Sequence, residues 1–536
     1  MSRQSHALKN MKFSIFFYLI FLVLQFVSRK LFLDNLGDEF MGLSGTLRSF
    51  LSFLNLAELG IGAAVGFSLY KPIFNNEYGR INELISLFGH LYKKIGLFIL
   101  IGGLIVSAFF PIIFDTLTAP LYIVYYTYYT FLFGMCLNFF FNYHIILLQA
   151  DQKDYVITSN SQSINLIKII LQCIIVFYYQ SVYGWITLEL IYYIINSYVL
   201  RKKVKQIYPW LSINQKTTNS ILKTNPEIIK KVKQVSFHKL GAFVTSGTDQ
   251  ILIFAFISIE SVAFFGNYQM VFSRLLQLVN SAFAGTAAGI GNLVAENNKE
   301  NINKVFWEMM ALRFYIGGIA IIVLFFVTEP FILVWLGDKY ILSKYVLILF
   351  LLNMFIMQIR IPVDHFKDAY GLYQDIWAPV AQSLINLVMS IILLQYFDLA
   401  GILMGTTIAF SIVILMWRPY FLYKHGFKTN LWSYWKQFLI LILSLILPFF
   451  ICHQIQKHII LRDINLFNLV IYSIKILILT VVVYTPIIYI SSLGFRNVSK
   501  RLLHLIKIKL SWQIRQINNL CLFDYFNSSY YFILYR

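Results

Sequence analysis

The chain has 536 residues, of which 59% are apolar and only 13% charged, with mean hydropathy +0.69 and net charge +20. A soluble globule carries about 25% charged residues on its water-facing surface, so this composition excludes a soluble domain and makes lipid the main solvent. The excess of Lys and Arg then reads as loop charge beside a membrane, and nucleic acid is excluded as a partner because no soluble domain carries a basic face.

A helix that crosses a bilayer needs about 20 apolar residues. Arg3, Lys9 and Lys12 precede the run 13–27 and mimic a signal peptide, but Ser28-Arg29-Lys30 follows where a small-residue cleavage site would stand. This run reads as the first retained helix. Apolar runs predict spans at 11–33, 41–70, 90–114, 119–148, 156–179 and 183–200. A basic linker, 201–235, follows. Further spans are predicted at 236–258, 261–294, 305–335, 341–370, 376–396 and 399–422, and a last pair at 435–453 and 466–490. The expected fold is an all-α polytopic membrane protein of about fourteen transmembrane helices. Its expected organisation is an N-terminal six-helix bundle (1–200), the linker, a C-terminal six-helix bundle (236–424) in pseudo-twofold relation to the first, two additional helices (425–494) and a basic tail (495–536).

Lys and Arg cluster on one set of loops: Lys71 and Arg80, Lys153, the linker, Lys299 and Lys304, Lys424 and Lys428, and Lys500-Arg501. The opposite loops carry few. The positive-inside rule therefore places both termini on the cytoplasmic side of the membrane. The tail interleaves Leu502, Leu503, Leu505 and Ile506 with Lys500, Arg501, Lys507 and Lys509. Two readings stand: an amphipathic helix on the inner surface, or a plain basic tail near anionic lipid.

A shift of 221 residues brings Asn76, Ile81 and Asn82 onto Asn297, Ile302 and Asn303, His144 onto His365, Asp154 onto Asp375, and Ile164-Asn165-Leu166 onto Ile385-Asn386-Leu387. The matches fall at corresponding helix ends, as expected for two parallel halves.

Catalytic chemistry has no visible seat. No phosphate-cradling loop is present, nine histidines lack metal-ligand spacing, and Cys136, Cys173, Cys452 and Cys521 form no paired pattern. No catalytic residue, cofactor or metal is assigned. The informative groups are ionisable residues inside spans, which are costly in hydrocarbon and face a cavity or a partner. In one reading Arg48, Arg274, Arg360 and Arg29 line a cavity and bind a diphosphate, whose oxygens suit a guanidinium fork. In the other, Arg48–Glu58 and Arg360–Asp364 are structural pairs and Arg29 snorkels. Glu58, Asp249 and Asp364 serve ion coupling or pairing; Lys168 and Glu189, within or near spans, are expected mostly to find pairing partners. Gly60, Gly62, Gly66, Gly285, Gly289 and Gly291 allow close helix approach or bending.

The stretch Leu54-Asn55-Leu56-Ala57-Glu58-Leu59-Gly60-Ile61-Gly62-Ala63-Ala64, with Ser68-Leu69-Tyr70-Lys71-Pro72 after it, resembles the second helix and following loop of bacterial polysaccharide flippases. These are O-antigen and capsule repeat-unit flippases of the multidrug/oligosaccharidyl-lipid/polysaccharide exporter superfamily. Thr248-Asp249-Gln250, Gly289-Ile290-Gly291-Asn292-Leu293, Asp368-Ala369-Tyr370-Gly371-Leu372, and Gly401 with Gly405-Thr406 continue the resemblance. It implies two six-helix bundles plus two helices. It also implies transport of an undecaprenyl-diphosphate-linked oligosaccharide from the inner to the outer leaflet by alternating access, with coupling to H+ or Na+ left open. Membrane lipids, a polysaccharide polymerase and glycosyltransferases are the partners it suggests. Three other readings remain: a multidrug exporter, a peptidoglycan-precursor flippase, and a membrane glycosyltransferase or polymerase.

Overall fold

The computed structural model describes residues 3–58, 61–212, 248–283, 286–375, 377–459, 463–501 and 503–504. Every regular element among them is helical. In chain order the α-helices of six residues or more are α1 (Arg3–Leu54), α2 (Ile61–Phe74), α3 (Tyr78–Ala108), α4 (Leu121–Phe140), α5 (Ile145–Ala150), α6 (Asp154–Tyr179) and α7 (Val182–Ile207). Then come α8 (Asp249–Phe256), α9 (Ile259–Ala282), α10 (Thr286–Ala295), α11 (Lys299–Trp335), α12 (Lys344–Ala369), α13 (Trp377–Ala409), α14 (Leu431–Gln456) and α15 (Leu466–Ser491). Eight described segments are long and apolar enough to cross a membrane, and one runs 51 residues, from Trp377 to Phe427.

At 1.5 Å per residue, 51 residues would measure about 77 Å, more than twice a hydrocarbon core of about 30 Å. The chain therefore reverses inside that segment. The reversal falls at Asp398 (φ 47°, ψ −131°). Beyond it Asn386 donates to Thr406 Oγ1 at 2.7 Å and Ser390 Oγ to the Ile402 carbonyl at 3.0 Å. A Cβ on Gly401 would strike the Leu393 backbone, and one on Gly405 would strike Ser390. Small residues let the two arms touch, which matters in a bilayer because lipid tails are as apolar as Leu and burial alone yields no driving force.

The 52 residues of α1 also reverse, at Gly37 (φ 81°, ψ 164°). Before Gly37 its contacts run down α9: Tyr18 Oη donates to the Arg274 carbonyl, and Arg29 reaches Asn267 and Ala263. After Gly37 they climb back: Gly42 lies against Ile259 and Gly45 against Val262. Asp38, beside the turn, is buried, takes a hydrogen bond from Tyr340 Oη at 2.5 Å and pairs with Lys339. Burial and that bond to Asp38 push the Tyr340 phenol up.

With each reversal counted as two arms, the described helices follow the predicted spans in order; residues 236–247 of the seventh span lie outside the described residues, which give it only Asp249–Phe256. Three predicted spans are broken rather than continuous. The second breaks at a 3-10 turn, Asn55–Glu58, the fourth at Phe141–His144, and the eighth near Phe283. The third starts at Tyr78, twelve residues before its predicted apolar run, because 78–89 is an amphipathic extension carrying Arg80 and Glu83. Most of the linker (213–235), most of the tail, Arg462 and Cys521 lie outside the described residues.

Two compact units interleave along the chain. One comprises Met1–Asn280, Trp335–Asn353 and Gln374–Val413, the other Ser281–Val334, Met354–Tyr373 and Ile414–Arg536. The first holds a core of Val65, Leu69, Ile85, Phe88 and Leu147 where α2, α3 and α5 meet. The second packs aromatics edge to face: Phe306 meets Phe366 and Phe427 at 5.5 and 5.2 Å between ring centroids. Gly318 admits Leu445 and Tyr484 against α11. After α15 the chain turns back, burying Phe495 against Tyr315, and Arg501 clasps Glu308 of α11 through both carboxylate oxygens at 3.1 and 2.8 Å.

Candidate functional site

Two adjoining cavities, of about 460 and 630 Å³, lie within the first unit and share Glu58, Tyr92 and Asn138. The break at Asn55–Glu58 opens them. It takes the chain out of α-helical register just where Glu58 must point inward, and α2 restarts at Ile61 with Gly62 beside the Tyr92 hydroxyl and the Glu58 carboxylate. Tyr92 Oη donates to Glu58 Oε1 at 2.5 Å. Asn138 and Asn142, four residues apart on α4 and its end, present amides to the same space.

Arg48 lines the smaller cavity, its side chain 45% exposed. Its guanidinium lies 3.8 Å from the centroid of the Phe131 ring and donates to Glu189 Oε1 at 3.1 Å. Glu189, 5% exposed, also takes Lys168 Nζ at 3.1 Å on each oxygen. Two cations thus share one carboxylate, which leaves Arg48 donor capacity directed into the cavity. The predicted Arg48–Glu58 pair does not form. Both residues line one cavity, but Arg48 turns to α7 and Glu58 to α3, because the helix that was to carry both is broken between them. Lys168 and Glu189, each expected to find a pairing partner, pair with one another.

The remaining candidates are dispersed. Arg29 does not snorkel; it donates from Nε to Asn267 Oδ1 at 2.7 Å and from Nη2 to the Ala263 carbonyl at 3.1 Å, tying α1 to α9. Arg274 is half-buried and donates to Gln277 at 2.8 Å, with no carboxylate partner among the described residues. In the second unit Arg360 Nε meets Asp364 at 2.9 Å, the i,i+4 pair expected, and Arg418 takes the other Asp364 oxygen. Asp364 is thereby held by two arginines. Asp249, at the start of α8, is buried with Oδ1 lacking any hydrogen-bond partner. Gly289 and Gly291 have open space where a Cβ would stand, so neither makes the close approach expected; Gly60 and Gly285 lie outside the described residues.

Sequence reasoning passed over Tyr92, Asn138, Asn142, Arg418 and Arg313. Arg313 is buried in α11, donating to Gln358 at 2.8 Å over the Phe283 ring. An arginine amid a predicted span was a visible signal; so was the Asn138–Asn142 spacing.

Fold and cavities define a class: a multi-pass helical membrane protein with polar cavities inside a helical unit. No family profile and no curated protein matches the sequence. Solved structures do. The chain is similar to the lipid II flippase MurJ in an inward closed conformation, at 17% identity and TM-score 0.58 over 88% of this chain and 99% of MurJ. It is also similar to an inward-facing multidrug resistance MATE family transporter of the MOP superfamily, at 15% identity and TM-score 0.55 over 75% and 94% of the two chains. A point mutant of the Vibrio cholerae MATE transporter VcmN matches at 13% identity and TM-score 0.50 over 80% and 99%. The fold is that of MurJ and the MATE transporters, as the resemblance in the motifs implied.

Proposed function

We propose that the protein is a flippase for a lipid-linked oligosaccharide, moving it from the inner to the outer leaflet of a bacterial cytoplasmic membrane by alternating access, for surface polysaccharide synthesis. The observation that carries this reading is Arg48, half open to a 460 Å³ cavity with a ring face beneath it. A planar fork suits diphosphate oxygens, and aromatic walls suit sugar rings. The likeness to the lipid II flippase MurJ supports a lipid-linked substrate. Asp249, buried with one oxygen unpartnered, is the coupling site for H+ or Na+ in this scheme. The polymerase and the glycosyltransferases of the same pathway are the working partners. The protein has no catalytic step of its own in this reading.

A second reading has its own support. Glu58 and Asp154 line the larger cavity, and carboxylates there suit an organic cation, as in a multidrug exporter. The two are separated in a strain lacking the chromosomal copy. Arg48→Glu and Arg274→Glu are expected to abolish surface polysaccharide, leave lipid-linked repeat units in the inner leaflet, and keep protein levels in the membrane. Normal export by both variants would overturn the cavity assignment. Sensitisation of the deletion strain to cationic drugs, with polysaccharide intact, would favour the exporter.

A further inference from the structure

A third cavity, of about 240 Å³, lies in the first unit near the inner ends of α3 and α7. Three cations converge on it: Lys93 from α3, and Arg201 and Lys205 from α7. Arg201 and Lys205 are four residues apart, so their like charges share one helix face, an arrangement that costs stability in the absence of an anion. None of the three forms an ion pair among the described residues. No carboxylate lines the cavity, and the one bonded to its wall residue Tyr208 is engaged elsewhere too: Asp151 holds Lys153 at 2.6 Å and accepts from Tyr208 Oη at 2.7 Å. Burial and that Asp151 bond push the Tyr208 phenol up, so it remains a donor to Asp151.

His144 supplies an independent observation. It stands where α4 breaks before α5, only 5% exposed, lines this cavity, and its Nε2 has no hydrogen-bond partner. A buried polar atom without a partner costs free energy that a native site normally recovers from a ligand or water. Loop charge that holds an orientation in the membrane explains why Lys and Arg are here at all. It does not explain why three of them and an imidazole Nε2 without a partner face one cavity while Lys202 and Lys203, in the same run, do not line it. The volume holds several waters at about 30 Å³ each, which suits a phosphoryl or diphosphoryl group.

We propose that this pocket binds a phosphoryl anion, with Arg201 as the forked donor, Lys93 and Lys205 closing the charge, and the Nε2–H tautomer of His144 donating from the buried wall. The anion is either the phosphate of a lipid headgroup or a free phosphate or diphosphate. The pocket is separate from the Arg48 cavity and does not rest on the transport reading.

The test uses the purified full chain. One arm titrates inorganic pyrophosphate by calorimetry in detergent. The other measures retention of phosphatidylglycerol against phosphatidylcholine by native mass spectrometry. Wild type is expected to bind at least one saturably; pyrophosphate binding identifies a soluble source and phosphatidylglycerol retention a lipid one. Arg201→Gln with Lys205→Gln is expected to weaken that binding about tenfold or more, the scale of one lost charge-assisted hydrogen bond. Lys202→Gln with Lys203→Gln removes equal charge and is expected to change it less than about twofold. Lys93→Gln, on a different helix, gives the same loss should the α7 variant fail to fold. Absence of saturable binding in both arms, or equal weakening by the two double variants, would overturn the proposal.

Discussion

Asn76 and Asn297 hold the same left-handed backbone, with φ of 56° and 55°, and close the same turn 221 residues apart. Each donates its N–H to the carbonyl three residues back, Ile73 at 3.3 Å and Val294 at 3.1 Å. Each is followed by a helix whose Ile81 or Ile302 bonds the carbonyl four residues back at 3.0 or 2.9 Å, and both isoleucines are 2% exposed. The sequence repeat therefore encodes one turn used twice, with Asn supplying the left-handed position that ordinary side chains resist.

Asn76→Val and Asn297→Val should each destabilise by about 1–2 kcal/mol, the cost of the left-handed conformation for an ordinary residue. Asn76→Gly and Asn297→Gly should be close to neutral. Thermal unfolding of the purified chain reads the difference, and equal shifts for Val and Gly would contradict it.

Glu189 accepts from both Lys168 and Arg48. Glu189→Ala should cost about 3–5 kcal/mol, because it leaves a buried ammonium uncompensated. Lys168→Met combined with Glu189→Leu should recover most of that loss. Melting temperatures of the three proteins check the order.

Gly401 and Gly405 sit where the arms of α13 touch. Leu at either should stop the arms closing, and little monodisperse protein should be recovered on fluorescence-detected gel filtration. Gly289→Ala and Gly291→Ala, with open space around them, should elute as wild type.

Asp249→Asn keeps the shape and removes a charge that is costly to bury. The variant should be at least as heat-stable as wild type. In proteoliposomes its transport should no longer respond to an imposed pH or Na+ gradient. A response of wild-type size would remove Asp249 from coupling.

The spans were legible because about 20 apolar residues can do little else in this composition. The reversals at Gly37 and Asp398 coincide with gaps between predicted spans. The Arg360–Asp364 pair was legible from its i,i+4 spacing, but Arg418 was not, since it lies 54 residues from Asp364 in sequence. Arg48 shows the limit most clearly. Glu58, ten residues on, is the partner a continuous helix predicts for it, and the 3-10 turn at Asn55–Glu58 removes that geometry. Its true partner comes 141 residues later on α7. The basic residues near position 201 were read as linker charge, because convergence with Lys93 and His144 exists only once α3, α4 and α7 pack.

The clasp between Glu308 and Arg501 orders events in time. Glu308 is 3% exposed in the finished protein, yet its cation lies 193 residues downstream. At about 5–20 residues per second of synthesis, that interval is roughly 10–40 s. Through it α11 must wait with an uncompensated carboxylate, held in water or by a chaperone. The second unit then locks only when α15 has been threaded and residue 501 has emerged, so a ribosome stalled just after α15 would leave that unit with its described walls but no latch.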